Sequence, residues 1–301
     1  VFLKTQAFMN CKILIVILLF LGLMACNSPG KNQNRGGGDD RADSLGMKVD
    51  KTDLRSVVPS PSQTVLLLHN CPVAFDVSVL TPIRDLKKYN TSFDKALLLG
   101  FYGADLCYLG LTEQKELISK YVKEITQLMS ELEIDFQEQD KILLAIEQNI
   151  GDTNLILKSF NKIFTQSDAY LIKNERTDVC ALIVAGGWIE SFYILNELHR
   201  KNPGTFCLVE LIQYQSYILD HLIATLAPYY NSTQYGPLID RLVEIAYEFD
   251  LMDIHTGDIS CKTDSIKKFT YVQNPVLFDY TGSKPDSLSV YISQLKSYYV
   301  Q

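Results

Sequence analysis

Residues 112–132 read "TEQKELISKYVKEITQLMSEL". Leu117, Ile118, Tyr121, Val122, Ile125, Leu128, Met129 and Leu132 recur at intervals of three and four, and Lys and Glu fill the other side. That spacing draws one apolar stripe along a 3.6-residue period, as in an amphipathic helix packed on a core. Thr112 stands where an N-cap hydroxyl is wanted. Runs of the same period occupy 92–110, 135–149, 153–173, 178–200, 207–228 and 237–250, and the period returns at 286–299. Thr81-Pro82 opens a short helix before Asn90. Gly151-Asp152, "NPG" at 202–204 and "APYYNSTQYGP" at 227–237 punctuate the rest. Short links make sequence neighbours antiparallel. The expected class is all-α, either an irregular bundle or an array of antiparallel helical hairpins; the hairpin length suits a repeat, yet no side-chain signature recurs. "KKFTYVQNPVLFDYTG" (267–282) is rich in β-branched and aromatic residues and admits a short β-hairpin near the C-terminus. Residues 256–301 thus form a subregion of their own, expected to dock on the bundle because its aromatics would otherwise leave a sticky patch.

The other end of the chain carries an address. Lys12 precedes a charge-free run from Ile13 to Ala25, which is too short to cross a bilayer as a helix, for which about 20 residues are needed. It matches the apolar region of a secretory signal, with Met9 as a plausible start. The run closes on "LMAC", Leu23 to Cys26, which resembles the lipobox of bacterial lipoproteins. That resemblance implies a signal peptide over 1–25 and a diacylglycerol on the Cys26 thiol, with an acylated amine. At ~0.8 kcal/mol per buried CH₂, two or three such chains anchor permanently. Residues 26–63 then read as the lipidated cysteine and a disordered tether, with Gly36-Gly37-Gly38 and "PSPS" at 59–62 and little to bury. Such a tether reaches roughly 30–36 Å. Residues 64–301 form a single helical domain. With Asn27 after the cysteine, the resemblance to known lipoproteins implies the outer membrane. The first acids, Asp39 and Asp40, come late, so the domain is expected to face the periplasm, with the cell surface as the alternative.

Composition narrows the partners. The 301-residue chain is 47% hydrophobic with a net charge of −7, and it has no basic stripe, which argues against nucleic acid. Apart from Cys11 and Cys26, the cysteines are 71, 107, 180, 207 and 261, an odd number without paired spacing. Cys107 and Cys180 lie in apolar surroundings and read as buried thiols; the pairing of the others stays open. The histidines (69, 199, 221, 255) are dispersed and lack zinc-ligand spacing, so no metal or cofactor is expected. His199 and His221 read as surface residues near helix ends.

Two stretches depart from the amphipathic pattern. In "LLLGFYGADLCYLGL" (97–111) Asp105 is the only charge, and in "ALIVAGGWIESFYILNELHR" (181–200) Glu190 is the first charge after Asp178. Helices apolar all round are buried, and a buried carboxylate must be paired, hydrogen-bonded or protonated. Gly100, Gly103, Gly186 and Gly187 lie inside these runs, a helical cost that close helix contact offsets. A sharp reading brings Asp105 and Glu190, with Tyr102, Trp188 and Tyr193, around one cavity as an acid and a base. The plainer reading makes Asp105 a hydrogen-bond node, held by Trp188, a tyrosine hydroxyl or a helix terminus, that fixes helix register.

"LGFYGADLCY" (99–108) and "GGWIESFYI" (186–194) resemble paired signatures of uncharacterised, largely helical lipoproteins of Bacteroidota, over most of residues 75–255. The resemblance implies a helical fold and an anchor, and no catalytic residue. Phe101 and Cys107 depart from the family pattern without changing its apolar character. The function expected first is a membrane-anchored envelope lipoprotein with a helical binding or scaffold domain, held to the bilayer through Cys26 and meeting an envelope protein or glycan. The alternatives are a small-molecule or glycan carrier, and a hydrolase acting through Asp105 and Glu190.

Overall fold

The computed structural model describes Val58, residues 60–251, four short strands between 253 and 279, and residues 286–300. The segments read as a signal peptide and, nearly entirely, as a tether lie outside the described residues, as does Cys26. Nine helices are described: α1 (Pro61–Leu68), α2 (Ser92–Leu109), α3 (Lys115–Glu131), α4 (Gln139–Gln148), α5 (Thr153–Lys173), α6 (Thr177–Lys201), α7 (Phe206–Leu226), α8 (Tyr235–Asp250) and α9 (Asp286–Tyr299). The domain is all-α, and the periods read from the sequence mark α2 to α9 to within a few residues, while α1 carried no period that was read.

Local chemistry sets most of the ends. Asp152 accepts from the Leu155 N–H at 3.0 Å and caps α5, just after Gly151 turns the chain at φ 104°. Thr91 does the same for α2, accepting from the Asp94 N–H at 3.1 Å. Thr112 does not cap α3. Its hydroxyl donates to the Leu109 carbonyl at 2.7 Å and closes the end of α2, and α3 begins after Gln114. A hydroxyl that can bond backward as well as forward does not reveal which by its position. Thr81-Pro82 opens no helix; the turn before Asn90 is a single 3₁₀ turn over Leu86–Lys88, capped by Asp85. The helical domain begins earlier than residue 64. Pro61 sits at the start of α1, and the Ser60 N–H donates to the Gln63 side chain at 3.1 Å, so "PSPS" is partly a helix start.

Helices α2 and α6 form the centre, buried on nearly every side. Helix α6 is long and apolar enough to span a bilayer, yet 83% of its most apolar window is buried inside the domain, so it is a core helix. The two run parallel, because Gly100 meets Gly186 and Asp105 meets Glu190, with both partners advancing together. Three intervening helices, and so four reversals of direction, produce that sense. A Cβ on Gly100 would lie 2.6 Å from the Gly187 nitrogen and 2.8 Å from the Gly186 Cα, so only glycine permits this approach. Around the pair, α3 packs on α2, α5 and α7 flank α6, α4 pairs with α5, α8 lies on α7, and α9 sits on α6 and α8. The heaviest packing joins helices far apart in sequence. In a repeat array each unit touches only its neighbours, so the domain is an irregular bundle.

Between α8 and α9 the chain makes short antiparallel pairings. β1 (Asp253–Thr256) pairs with β4 (Val276–Asp279), and β2 (Ser260–Asp264) with β3 (Phe269–Gln273). Both strands of the stretch read as a hairpin exist, but they do not pair with each other. Each pairs instead with a strand from the more polar stretch before it, β3 with β2 and β4 with β1.

Cys71 and Cys207 form a disulfide across 136 residues, tying the segment after α1 to the first turn of α7. Cys107 and Cys180 are buried thiols outside any disulfide, as their surroundings imply. Closing so long a loop removes much unfolded-state entropy. Cys71→Ser with Cys207→Ser is expected to lower the unfolding free energy by about 2–4 kcal/mol in urea titration, and reduction of the native chain should match it. Equal stabilities before and after reduction contradict this.

Candidate functional site

Asp105 on α2 and Glu190 on α6 are both 0% exposed and hydrogen-bonded to each other in the bundle centre. Each has one oxygen with another donor. Asp105 Oδ2 accepts the Thr81 backbone N–H at 3.1 Å, and Glu190 Oε1 accepts the Lys296 ammonium of α9 at 2.7 Å. The remaining oxygens, Asp105 Oδ1 and Glu190 Oε2, are buried without a donor. Two carboxyls in contact cannot both ionise, and one proton held between them satisfies both leftover oxygens.

The charges say where that proton rests. Burial, then the charge of Glu190, raises the Asp105 carboxyl well above its ordinary range, against weaker opposition from Lys296 and the Thr81 N–H. Asp105 is therefore held neutral, while Glu190 pairs with the Lys296 ammonium. Lys296 also donates to the Val79 carbonyl at 3.4 Å and lies 3.7 Å from the centroid of the Tyr193 ring, a cation–π contact in a dry setting. Tyr121 closes the cluster by donating to the Thr81 carbonyl at 2.5 Å. Its hydroxyl and that of Tyr193 are raised by burial, Tyr193 to about 12, so both stay neutral. Burial also raises the Cys107 thiol well above its ordinary range, which makes it inert.

Of the five residues singled out in the sequence, Asp105, Glu190 and Tyr193 meet at this cluster. Tyr102 stands one layer away. Its ring packs edge-on against Tyr121 at 5.5 Å, and its hydroxyl accepts the Arg84 N–H at 3.0 Å. Trp188 stacks on Phe192 at 5.1 Å; its indole N–H is buried without a partner and does not reach Asp105. The donor to Asp105 is a backbone amide, the least visible kind in a sequence. His199 is half-buried, which lowers its pKa, where a surface residue was expected. Three residues escaped the sequence reading: Lys296, Thr81 and Tyr121. Two acids in apolar helices call for a cation, and Lys296 stands four residues after Ile292 at the edge of the α9 stripe, which was the one usable signal.

The cluster has acid–base character and no route for a substrate. Acid and base carboxyls that cleave glycosides stand roughly 5–9.5 Å apart to admit sugar and water; these two are in contact and sealed. Among the described residues no three His, Cys, Asp or Glu side chains converge as a metal site. Asp105→Asn keeps both hydrogen bonds, since the amide accepts from Thr81 and donates to Glu190. It is expected to change stability by no more than about 1 kcal/mol. A pH series checks the assignment. A raised carboxyl stabilises fully below the ordinary value of 3.8, and that contribution is lost as pH rises toward the folded-state value. The native chain is expected to lose melting temperature on the alkaline side more steeply than Asp105→Asn; parallel curves would mean that Asp105 is ionised.

Fold and site together define an all-α domain built around a closed, proton-sharing ion cluster. Comparison with protein families, with curated proteins and with solved structures finds no match for the chain.

Proposed function

We propose that this chain is a lipid-anchored envelope lipoprotein whose helical domain works by binding, with Asp105 and Glu190 serving the fold. The observation that carries the binding reading is the closure of the acid cluster, which uses its charges to hold α9 and faces no cleft. Anchoring rests on "LMAC" at 23–26. The Cys71–Cys207 disulfide suits the oxidising compartment outside the inner membrane, since such bonds are rare in the cytosol. A binding domain needs an exposed face with anchors. On α7, Phe206, Tyr214 and Tyr217 are about half exposed, and Tyr217 is braced edge-on by His221 at 4.6 Å. Aromatic side chains held in this way are the residues that most often dominate recognition.

The test is metabolic labelling with an alkynyl fatty acid in a bacterial host, followed by membrane fractionation. The native chain is expected to carry label and to sediment with membranes, and Cys26→Ala to lose both. A native chain without label, or label that survives in Cys26→Ala, refutes the anchor.

A further inference from the structure

A second place in the bundle is built quite differently from the sealed cluster. Where the start of α2 meets the start of α8 and the end of α9, an open cleft of about 630 Å³ enters the surface. That volume lies within the range of small-ligand sites, ~300–1,000 Å³. Its floor is apolar, made by Tyr89 and Phe93, both about 5% exposed. Tyr298, half exposed on α9, forms a wall. Lys88, Asp94 and Gln234 stand among the lining residues, with an ammonium, a carboxylate and a carboxamide respectively.

The aromatic lining is held in place. The Arg241 guanidinium lies 4.3 Å from the centroid of the Tyr298 ring, and Tyr299 meets that ring edge-on at 4.9 Å. Phe93 is fixed edge-on by Tyr235 at 5.2 Å and tilted against Tyr299 at 5.9 Å. Across the cleft the Gln234 amide reaches the Thr91 hydroxyl at only 3.4 Å, and that hydroxyl donates to Asp94 at 2.8 Å. Rings fixed before a ligand arrives reduce the ordering cost of binding.

The chemistry of this lining selects a class of ligand. One cation and one anion share the cleft, so neither an anionic nor a cationic ligand meets a field of one sign. The planar carboxylate and carboxamide can each engage neighbouring hydroxyls, and the ammonium adds donors. Aromatic faces match a ligand that also presents C–H surface. A neutral ligand with hydroxyls on its edge and C–H groups on its face is a sugar ring. We infer that the cleft between α2, α8 and α9 binds a neutral oligosaccharide, with Tyr298 as the stacking platform and Asp94 and Gln234 reading the hydroxyls. This rests on the binding reading above and adds to it a site apart from the α7 face, with its own ligand class. The lipid-labelling experiment reads Cys26 and the titration below reads the cleft, so each can fail without the other.

The test uses the full mature chain in detergent, titrated by calorimetry with cellotriose, maltotriose and N,N′,N″-triacetylchitotriose. At least one is expected to bind with a dissociation constant of about 0.1–1 mM, which suits a shallow site. Tyr298→Ala and Gln234→Ala are each expected to weaken it by ~10-fold or more. Both residues are exposed, so both variants should keep the native melting temperature, and a variant that melts lower is replaced by Tyr298→Leu or Gln234→Leu. No binding by any of the three sugars up to ~10 mM, or binding indifferent to both substitutions, overturns the inference.

Discussion

Lys296→Met is expected to lower the unfolding free energy by about 3–5 kcal/mol, the usual cost of removing one member of a buried ion pair. The loss comes from Glu190, left in the bundle centre without the cation that donates to it at 2.7 Å, while its other oxygen still shares the proton of Asp105. Methionine keeps the bulk and the apolar stem, so packing alone accounts for little of the effect. Hydrogen exchange should show where the defect lies. Helix α9 also buries Leu288, Ile292 and Leu295, so its amides are expected to lose protection first, with α2 keeping its own. Adding Glu190→Leu to Lys296→Met should restore much of the stability, because an apolar replacement of a whole buried pair is often neutral or better. A single variant within about 1 kcal/mol of the native chain means that Lys296 contributes little, and the account of the cluster fails.

Gly100→Ala is expected to cost about 3 kcal/mol or more, although alanine favours a helix over glycine by about 1 kcal/mol. The new methyl would meet the backbone of α6, 2.6 Å from the Gly187 nitrogen, and backbone inside a helix cannot step aside. The helices must separate, and the contact between Asp105 and Glu190 loosens with them. Gly103→Ala supplies the comparison. Its methyl would meet only the rim of the Phe164 ring, at 2.9 Å, and a side chain can give way. It is expected to cost about 1 kcal/mol. Urea denaturation of the two variants side by side checks the difference. Equal costs would mean that the α2–α6 contact is no closer than an ordinary helix pair.

The parts legible in the sequence are those set by periodicity and composition. The stripe from Ile118 to Leu132 is buried as its spacing requires, and the apolar runs around Asp105 and Glu190 became the core. Glycines in the middle of those runs announced the close crossing. What stayed hidden depends on partners far away in the chain. Thr81 binds Asp105 through its backbone, and any residue but proline carries the same N–H. The pairing of β3 with β2 depends on a polar strand partner, Ser260–Asp264, whose composition gave no strand signal. The cysteine spacing likewise left the partner of Cys71 open, because residues 136 positions apart come together only in the finished bundle.

The position of Lys296 also bears on when the fold can be completed. The chain is made from its amino end, and both core carboxyls are in place long before α9. Until that helix arrives, Glu190 has no counter-ion, and the bundle centre holds a charge that favours opening. Helix α9 therefore acts as a completion check. A chain cut short before α9 lacks the Lys296 contact of Glu190 and is expected to be cleaved by added protease more readily than the finished domain.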